Sequence, residues 1–139
     1  VQVVHYNASS FNPAPPSKID LEVFTSDLHT CITGALLTVQ AFLPVLRQHE
    51  KAAIFMTGGG SALHPAAATT ALSIGKAGMR NLALALAEEC APTDIHVATI
   101  TVSGFVQPGS SLDPDHIAGE FRRLWMQEKP DWEVEVEMK

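Results

Sequence analysis

Apolar and polar residues follow two different periods along this chain. Mostly apolar runs with many β-branched residues occupy 1–6, 52–57 and 95–102, as in strands that are buried on both faces. Between these runs, apolar residues recur every three or four positions over about 20–48 and about 66–89. This spacing predicts two long amphipathic helices that separate three buried strands.

The last third of the chain predicts one more helix and one more strand. Asp113 is a suitable N-cap and Pro114 suits a first helical turn, so we expect a helix to about Gln127. Residues 132–138 alternate strictly, with valines on one side and glutamates on the other. This alternation predicts an edge strand with one face in water.

Two local features concern the first long helix. Ser17 and Asp20 have the spacing of a capping box, which predicts that the helix opens with Ser17 as its N-cap. Pro44 lies near the other end, where it is expected to bend or fray the last turn.

The predicted order is β-α-β-α-β-α-β, with helices long enough to cross over between parallel strands. It indicates an α/β fold of the Rossmann-like, three-layer kind, with a parallel sheet of about four strands. No repeat or linker interrupts residues 1–139, so we expect a single domain. Ligands of such sheets bind beyond the carboxyl ends of the strands, which here are NASS, TGGGS and SGFVQPG.

Composition narrows the possible partners. The formal charge is −6 and no segment concentrates Lys and Arg, which argues against nucleic acid. No apolar run reaches the roughly 18 to 20 residues of a membrane span, so no membrane partner is expected. Cys31 and Cys90 lie within helical patterns without a disulfide framework, which favours reduced thiols and a cytoplasmic protein.

Most local motifs predict no chemistry. The segment TGGGS lacks the lysine of a phosphate-binding loop, and Leu63 occupies the place of the last glycine in a dinucleotide fingerprint. The same leucine excludes a nucleophile elbow around Ser61. The six histidines do not have metal-ligand spacing. Lys76 is the exception, because it is the only charged side chain between Pro65 and Met79.

The segment IFMTGGGSALHPAAATTALSIGKAGMRNLALALAEE resembles the centre of the short-chain dehydrogenases/reductases. In that family the segment runs from the strand bearing a catalytic serine to the helix bearing Tyr-x-x-x-Lys. YNAS, CITGALLTVQAFLPVL and IHVATITVSGFV resemble three further family motifs in the family's order. The resemblance covers nearly the whole chain and implies the second part of that fold. The first three family strands and their glycine-rich cofactor loop are then expected to be absent from these 139 residues, which would leave residues 1–6 as an exposed edge of the sheet.

The resemblance implies four catalytic positions, of which one is kept. Lys76 matches the lysine that lowers the pKa of the family's tyrosine and binds the nicotinamide ribose. The tyrosine position holds Leu72, and the asparagine position holds Cys31. The serine position falls on Gly59, or on Gly58 if the loop shifts by one residue.

Other hydroxyl groups lie near these positions. Thr57 and Ser61 flank the serine position and are candidates to replace it in part. Ser73 is a poor substitute for the tyrosine, because it points about 100° away around the helix.

The resemblance also implies a cofactor, NAD or NADP. Its contacts are assigned to Asn7, Ala8, Thr57, Lys76, Ser103, Gly104 and Val106, with Ser103 in place of the family's usual proline. Because no family-type pyrophosphate loop is expected in these residues, the chain alone is expected to bind the dinucleotide weakly or not at all.

The resemblance implies a homo-oligomer through the helices at about 20–48 and 66–89, which in the family pack as a four-helix bundle between subunits. Three functional hypotheses remain open. The chain is the C-terminal portion of an NAD(P)-linked oxidoreductase, a non-catalytic relative that dimerises or senses a ligand, or a truncation product without activity. The substituted catalytic positions argue against classical carbonyl reduction by the chain alone.

Overall fold

A computed structural model describes residues 1–139 as one parallel four-stranded sheet with helices on both faces. The strands lie in chain order, so that each strand pairs with the next one along the sequence. The elements are β1 (Val3–Tyr6), α1 (Leu21–Leu28), α2 (Gly34–Leu46), β2 (Ala52–Gly59), α3 (Thr70–Cys90), β3 (Ile95–Val102), α4 (Pro114–Met126) and β4 (Glu135–Met138). The α/β class and the parallel sheet predicted from the sequence are confirmed.

Two apolar clusters show how the three layers are built. On one face, side chains of α2 and α3 pack against β1, β2 and β3, with Val39, Met79 and Ile54 all buried. On the other face, α4 places Phe121 and Leu124 against the alternate side chains of β2 and β3. The central strands are therefore covered on both sides, which explains their nearly continuous apolar sequence.

The first long helix consists of two α-helical segments joined by a π-helical turn at His29–Thr33. Asp20 is the N-cap, since its carboxylate accepts hydrogen bonds from the backbone N–H groups of Glu22 and Val23. The expected start at Ser17 is therefore wrong by three residues. Pro44 lies inside α2, which continues to Leu46 without ending there.

β1 is fully covered on one face and only partly covered on the other. Val4 is buried under the helices, whereas Val3 and His5 are exposed. The apolar run alone predicted a strand buried on both faces, whereas the expected absence of the family's first strand predicted an exposed edge. The structure agrees with the second prediction, because β1 is the edge of the sheet and α4 covers only part of its second side.

β4 is shorter than predicted and its glutamate face is not entirely in water. The strand begins at Glu135 rather than at residue 132. The Glu135 carboxylate accepts two hydrogen bonds from Arg80 of α3, at 2.7 and 2.6 Å, and one from the hydroxyl of Thr101 at 2.7 Å. These bonds hold the pKa of Glu135 below its ordinary value, mainly through the guanidinium of Arg80. An alternating pattern could not predict this pairing, because α3 lies 55 residues earlier in the chain.

The continuous helix from Leu21 to Leu46 has the length and the apolar composition that would allow it to cross a membrane, with a mean hydropathy of 1.5. The expectation that no segment is long and apolar enough for a membrane span is therefore wrong for this helix. Only 17% of its most apolar window is buried. Outward-facing apolar side chains thus lie on α1 and α2, including Leu36 and Leu37.

Candidate functional site

Lys76 lies in the second turn of α3, close to the carboxyl ends of β2 and β3. It is only 8% exposed, and its Nζ donates a hydrogen bond to the backbone oxygen of Thr57 at 2.8 Å. Lys76 makes no ion pair. Burial lowers the pKa of Lys76, because a desolvated ammonium group loses hydration that one carbonyl does not replace. The amine is thus held in place without a charged partner.

A cavity of about 520 Å³ adjoins this amine. We refer to it as the Lys76 cavity. Its lining is composed mostly of glycine backbone and apolar or small polar side chains, with no carboxylate: Gly59, Gly60, Ser61, His64, Leu72, Lys76, Val102, Ser103, Gly104 and Phe105. Leu72 precedes Lys76 by one helical turn and shares this lining, so the position that the resemblance assigns to a proton donor carries an alkyl group.

The structure distinguishes the two glycines that compete for the serine position. The three atoms nearest to a Cβ on Gly59 would all belong to the Lys76 side chain, at ordinary contact distances of 3.6 to 3.7 Å. A Cβ on Gly58 would lie 3.0 to 3.1 Å from atoms of β3, including both Thr99 and Thr101 hydroxyl oxygens. A small side chain such as serine would therefore fit at position 59 beside the amine. In this chain the position is a glycine, which has no hydroxyl group.

Cys31 lies in the π-helical turn and is 1% exposed. A Cβ on Gly75 of α3 would come within 2.9 Å of its Sγ, so the glycine is what allows these helices to approach. The Ser9 hydroxyl lies 3.9 Å from the same Sγ. The family resemblance assigned Cys31 and Lys76 to the same catalytic site. In the structure, the thiol lies close enough to the ammonium group to raise the pKa of Lys76.

Tyr6 is the single tyrosine of the chain, and it was not among the predicted site residues. It lies on β1, and its hydroxyl donates a 2.5 Å hydrogen bond to the backbone oxygen of Thr30. Burial raises its pKa, and the neighbouring thiol of Cys31 raises it further. Tyr6 thus binds the π-helical turn. Its position could not be found by motif matching, because it lies 70 residues before Lys76 in sequence.

The two hydroxyl groups that flank Gly59 point to different places. Ser61 lines the Lys76 cavity. Thr57 instead pairs with His5 of β1, with 2.8 Å between its Oγ1 and His5 Nε2. His5 packs on Phe121 with 4.2 Å between the ring centroids, and burial lowers its pKa. His5 was not singled out from the sequence, since no spacing connects it to Thr57.

His5 and Thr57 line a second cavity of about 430 Å³, the His5 cavity, which lies between the sheet and α4. The two cavities adjoin, since both include Val102 and Gly104. The residues assigned to a cofactor divide between them. Asn7, Thr57 and Val106 line the His5 cavity, Lys76 and Ser103 line the Lys76 cavity, and Gly104 lines both, whereas Ala8 lines neither.

Ser103 makes a bond that the sequence did not predict. Its hydroxyl donates to the carboxylate of Glu137 on β4 at 2.8 Å, which lowers the pKa of that glutamate. Ser73 also has a structural partner, because its buried hydroxyl accepts a 3.4 Å hydrogen bond from the N–H of Ala66. It therefore joins the segment that precedes α3 to the first turn of that helix, and it does not line the Lys76 cavity.

This arrangement of a parallel sheet, a buried lysine on the helix after the second strand and a glycine turn beside it has clear relatives. A sequence profile described as short chain dehydrogenase matches residues 1–111. The chain belongs to the short-chain dehydrogenase family, an oxidoreductase family with a Rossmann-like fold. No curated protein sequence matches the chain significantly.

Solved structures agree on the fold. A short-chain dehydrogenase from Rhodopseudomonas palustris superposes with a TM-score of 0.87 at 24% identity, over 99% of this chain and 61% of its own. Serine dehydrogenase from Escherichia coli gives 0.88 at 19% identity, over 99% and 63%. The chain thus spans about six tenths of the length of these structures.

A third relative is more similar in sequence. An NADPH-bound short chain oxidoreductase from Pseudomonas aeruginosa PAO1, described as containing an atypical catalytic center, is 26% identical, with a TM-score of 0.72. The match covers 88% of this chain and 43% of that protein. NADP(H) is therefore bound by several family members of this fold, including an NADP⁺ complex of serine dehydrogenase.

Proposed function

We propose that this chain is a short-chain dehydrogenase-like protein that does not carry out the family's classical carbonyl reduction. The observation that carries the proposal is Leu72, which lines the Lys76 cavity one helical turn before the lysine. Reduction of a carbonyl needs a proton on the oxygen as well as a hydride on the carbon. An alkyl side chain at the donor position has no proton to transfer.

The other substituted positions support the same proposal. Gly59 leaves the serine position without a hydroxyl that could polarise a carbonyl. Cys31 stands at the asparagine position and is buried against Gly75. It has no amide group that could hold a water in the family's proton relay. Two hydroxyl groups remain near the serine position. That of Thr57 is bonded to His5, and that of Ser61 lines the cavity two residues after Gly59.

The cofactor we infer is NAD or NADP, which would supply the hydride. The residues present fit its nicotinamide and ribose portion. Lys76 has free N–H groups beyond its one bond to Thr57, and the backbone at Gly104 borders both cavities. We expect the 139-residue chain by itself to bind NADH or NADPH no tighter than about millimolar, which corresponds to about 4 kcal/mol.

The test combines titration with restored side chains. Leu72→Tyr together with Gly59→Ser returns the phenol and the serine hydroxyl, and the free space at Gly59 accommodates the latter. Leu72→Phe with Gly59→Ala is the matched control, because it has the same bulk without either hydroxyl. NADPH consumption with simple aldehydes, at millimolar cofactor, is expected to be absent from the natural chain and the control. Appreciable reduction by the natural chain would refute the proposal, and tight dinucleotide binding would refute the cofactor expectation.

A second candidate function is dimerisation. Exposed apolar side chains on α2 and α3 favour it, namely Leu36, Leu37, Phe42, Val45 and Ile74. Burying such a surface between two copies would remove it from water, at about 25 cal/mol per Å². We propose a homodimer through the helices at about 20–48 and 66–89.

Light scattering after size-exclusion chromatography tests this proposal. The natural chain is expected to run as a dimer at micromolar concentration, and Leu37→Asp as a monomer, whereas Gln107→Glu in the exposed loop after β3, outside both helices, is the charge control. A monomeric natural chain would contradict the homodimer. Flotation of the natural chain with lipid vesicles would instead indicate a membrane as the partner of this apolar face.

We further propose a cytoplasmic location without a nucleic-acid or membrane partner. The two buried, unpaired cysteines and the charge of −6 support it. Fractionation of cells that express the protein would test the location.

A further inference from the structure

We propose that Lys76 forms an imine with small apolar aldehydes that enter the Lys76 cavity. This inference rests on the proposed function, because it assigns a covalent role to a lysine that no longer has a tyrosine to assist. The amine, the space beside it and the absence of acidic neighbours are the three observations that carry it.

The position of the amine favours nucleophilic attack. Nζ is fixed by one hydrogen bond to the Thr57 backbone oxygen, so that one N–H is engaged and the rest of the group is free. The stem of Lys76 lies across Gly59, where no side chain separates it from the cavity. A positioned amine reacts more readily with a carbonyl than one on a freely rotating surface side chain.

The surroundings of the amine favour its neutral, nucleophilic form. The groups of the cavity that can carry charge are Lys76 itself and His64, and no carboxylate lines it. Cys31 in the π-helical turn acts against burial by raising the pKa of Lys76, but burial is the larger effect, and the carboxylate of Glu137 on β4 is bonded to Ser103. Burial lowers the pKa of Lys76, which is the condition under which lysines form imines.

The lining also indicates the class of the carbonyl compound. Leu72, Val102 and Phe105 offer alkyl and aromatic surface, and the last of these is almost fully exposed at the mouth. Ser61 and His64 are the polar side chains that can bind the carbonyl oxygen. A small aldehyde with an apolar substituent matches this lining better than an anionic one, since Lys76 reacts as the neutral amine and no arginine or second lysine lines the cavity.

The reaction balances without an oxidant or a reductant. The nitrogen lone pair of the neutral amine attacks the carbonyl carbon, the carbonyl π-electrons move to oxygen, and a proton passes from nitrogen to that oxygen. The resulting carbinolamine loses its hydroxyl group and a second nitrogen proton as one water molecule. A carbon–nitrogen double bond then joins the former aldehyde to Lys76, and hydrolysis reverses the sequence.

Reductive trapping tests the proposal on the full chain. Butanal and sodium cyanoborohydride are added at pH 7 without nicotinamide cofactor, and the butylated lysines are located by peptide mass spectrometry over time. Lys76 is expected to be labelled at least about fivefold faster than Lys51, whose amine is paired with Glu128. Labelling of Lys76 at or below the rate of Lys51 would overturn the proposal.

Three variants sharpen the result. Lys76→Arg keeps the positive charge and is expected to lose the fast label, whereas Lys51→Arg is expected to retain it. Leu72→Asp places a carboxylate one turn from the amine and is expected to slow labelling of Lys76 severalfold. If a variant fails to fold by circular dichroism, the comparison of Lys76 with Lys51 within the natural chain still decides. The proposed function has a separate readout: it would be refuted if the natural chain reduced aldehydes with NADPH, whatever the labelling of Lys76.

Discussion

Lys76 and Arg80 are cations one turn apart on the same helix, and they have opposite surroundings. Arg80 binds Glu135 with two hydrogen bonds, and Thr101 binds the same carboxylate. Lys76 is more deeply buried and has a single backbone carbonyl. The difference indicates that Arg80 stabilises the fold by joining α3 to β4, whereas Lys76 lies unpaired at the carboxyl edge of the sheet, beside a cavity.

The largest change is expected from removing Arg80. Arg80→Ala leaves the Glu135 carboxylate with only the Thr101 hydroxyl, and the pair is partly exposed, at 32% and 22% of the two side chains. We expect a loss of about 2 kcal/mol in the free energy of unfolding, measured with urea. Arg80→Lys is the control, with about half that loss, since it keeps the charge but not the two-pronged bond. No loss in Arg80→Ala would show that the pair does not stabilise α3 against β4.

A smaller effect is expected from acid. Because Arg80 lowers the pKa of Glu135 below 4.5, folding is favoured while this carboxylate is ionised. The contribution is present above the unfolded pKa and is lost as the pH falls through the folded pKa. The natural chain should therefore lose more stability below pH 4.5 than Arg80→Ala does, in urea titrations at a series of pH values. Parallel curves would contradict the assignment.

The smallest effect on stability is expected at Lys76. Lys76→Met removes one hydrogen bond and at the same time removes the cost of a buried cation, so the unfolding free energy should stay within about 1 kcal/mol of the natural value. A loss as large as that of Arg80→Ala would mean that Lys76 is a structural residue. The comparison between the two cations would then fail.

The sequence predicted the fold to the extent that periodicity and order determine it. Strands β2 and β3 are covered on both faces, so their apolar runs are unbroken and easy to recognise. The spacing of Leu72 and Lys76 is also local, and one helix reproduces it in the structure. Edge strands were harder to predict, because their covering depends on contacts with distant segments, as β4 shows.

The contacts that define the candidate site could not be predicted from the sequence. His5 meets Thr57 across 52 residues and Tyr6 meets Thr30 across 24, and neither pair belongs to a motif. The π-helical turn that holds Cys31 has no distinctive sequence pattern. The family resemblance assigned catalytic positions to Leu72, Gly59 and Cys31, whereas the groups that surround Lys76 depend on the packing of α1, α3 and the sheet.

The titration of Lys76 is the most direct test of whether its amine is buried without a charged partner. Its side-chain nitrogen can be followed by NMR in protein labelled with ¹⁵N and ¹³C, with Lys76→Arg to assign the signal. We predict a pKa below the ordinary 10.5 and below those of the exposed lysines, because the amine is buried without a carboxylate partner. A pKa at or above 10.5 would show that Lys76 is a fully solvated or paired cation, and it would contradict the account of a retained amine at a site that has lost its proton donor.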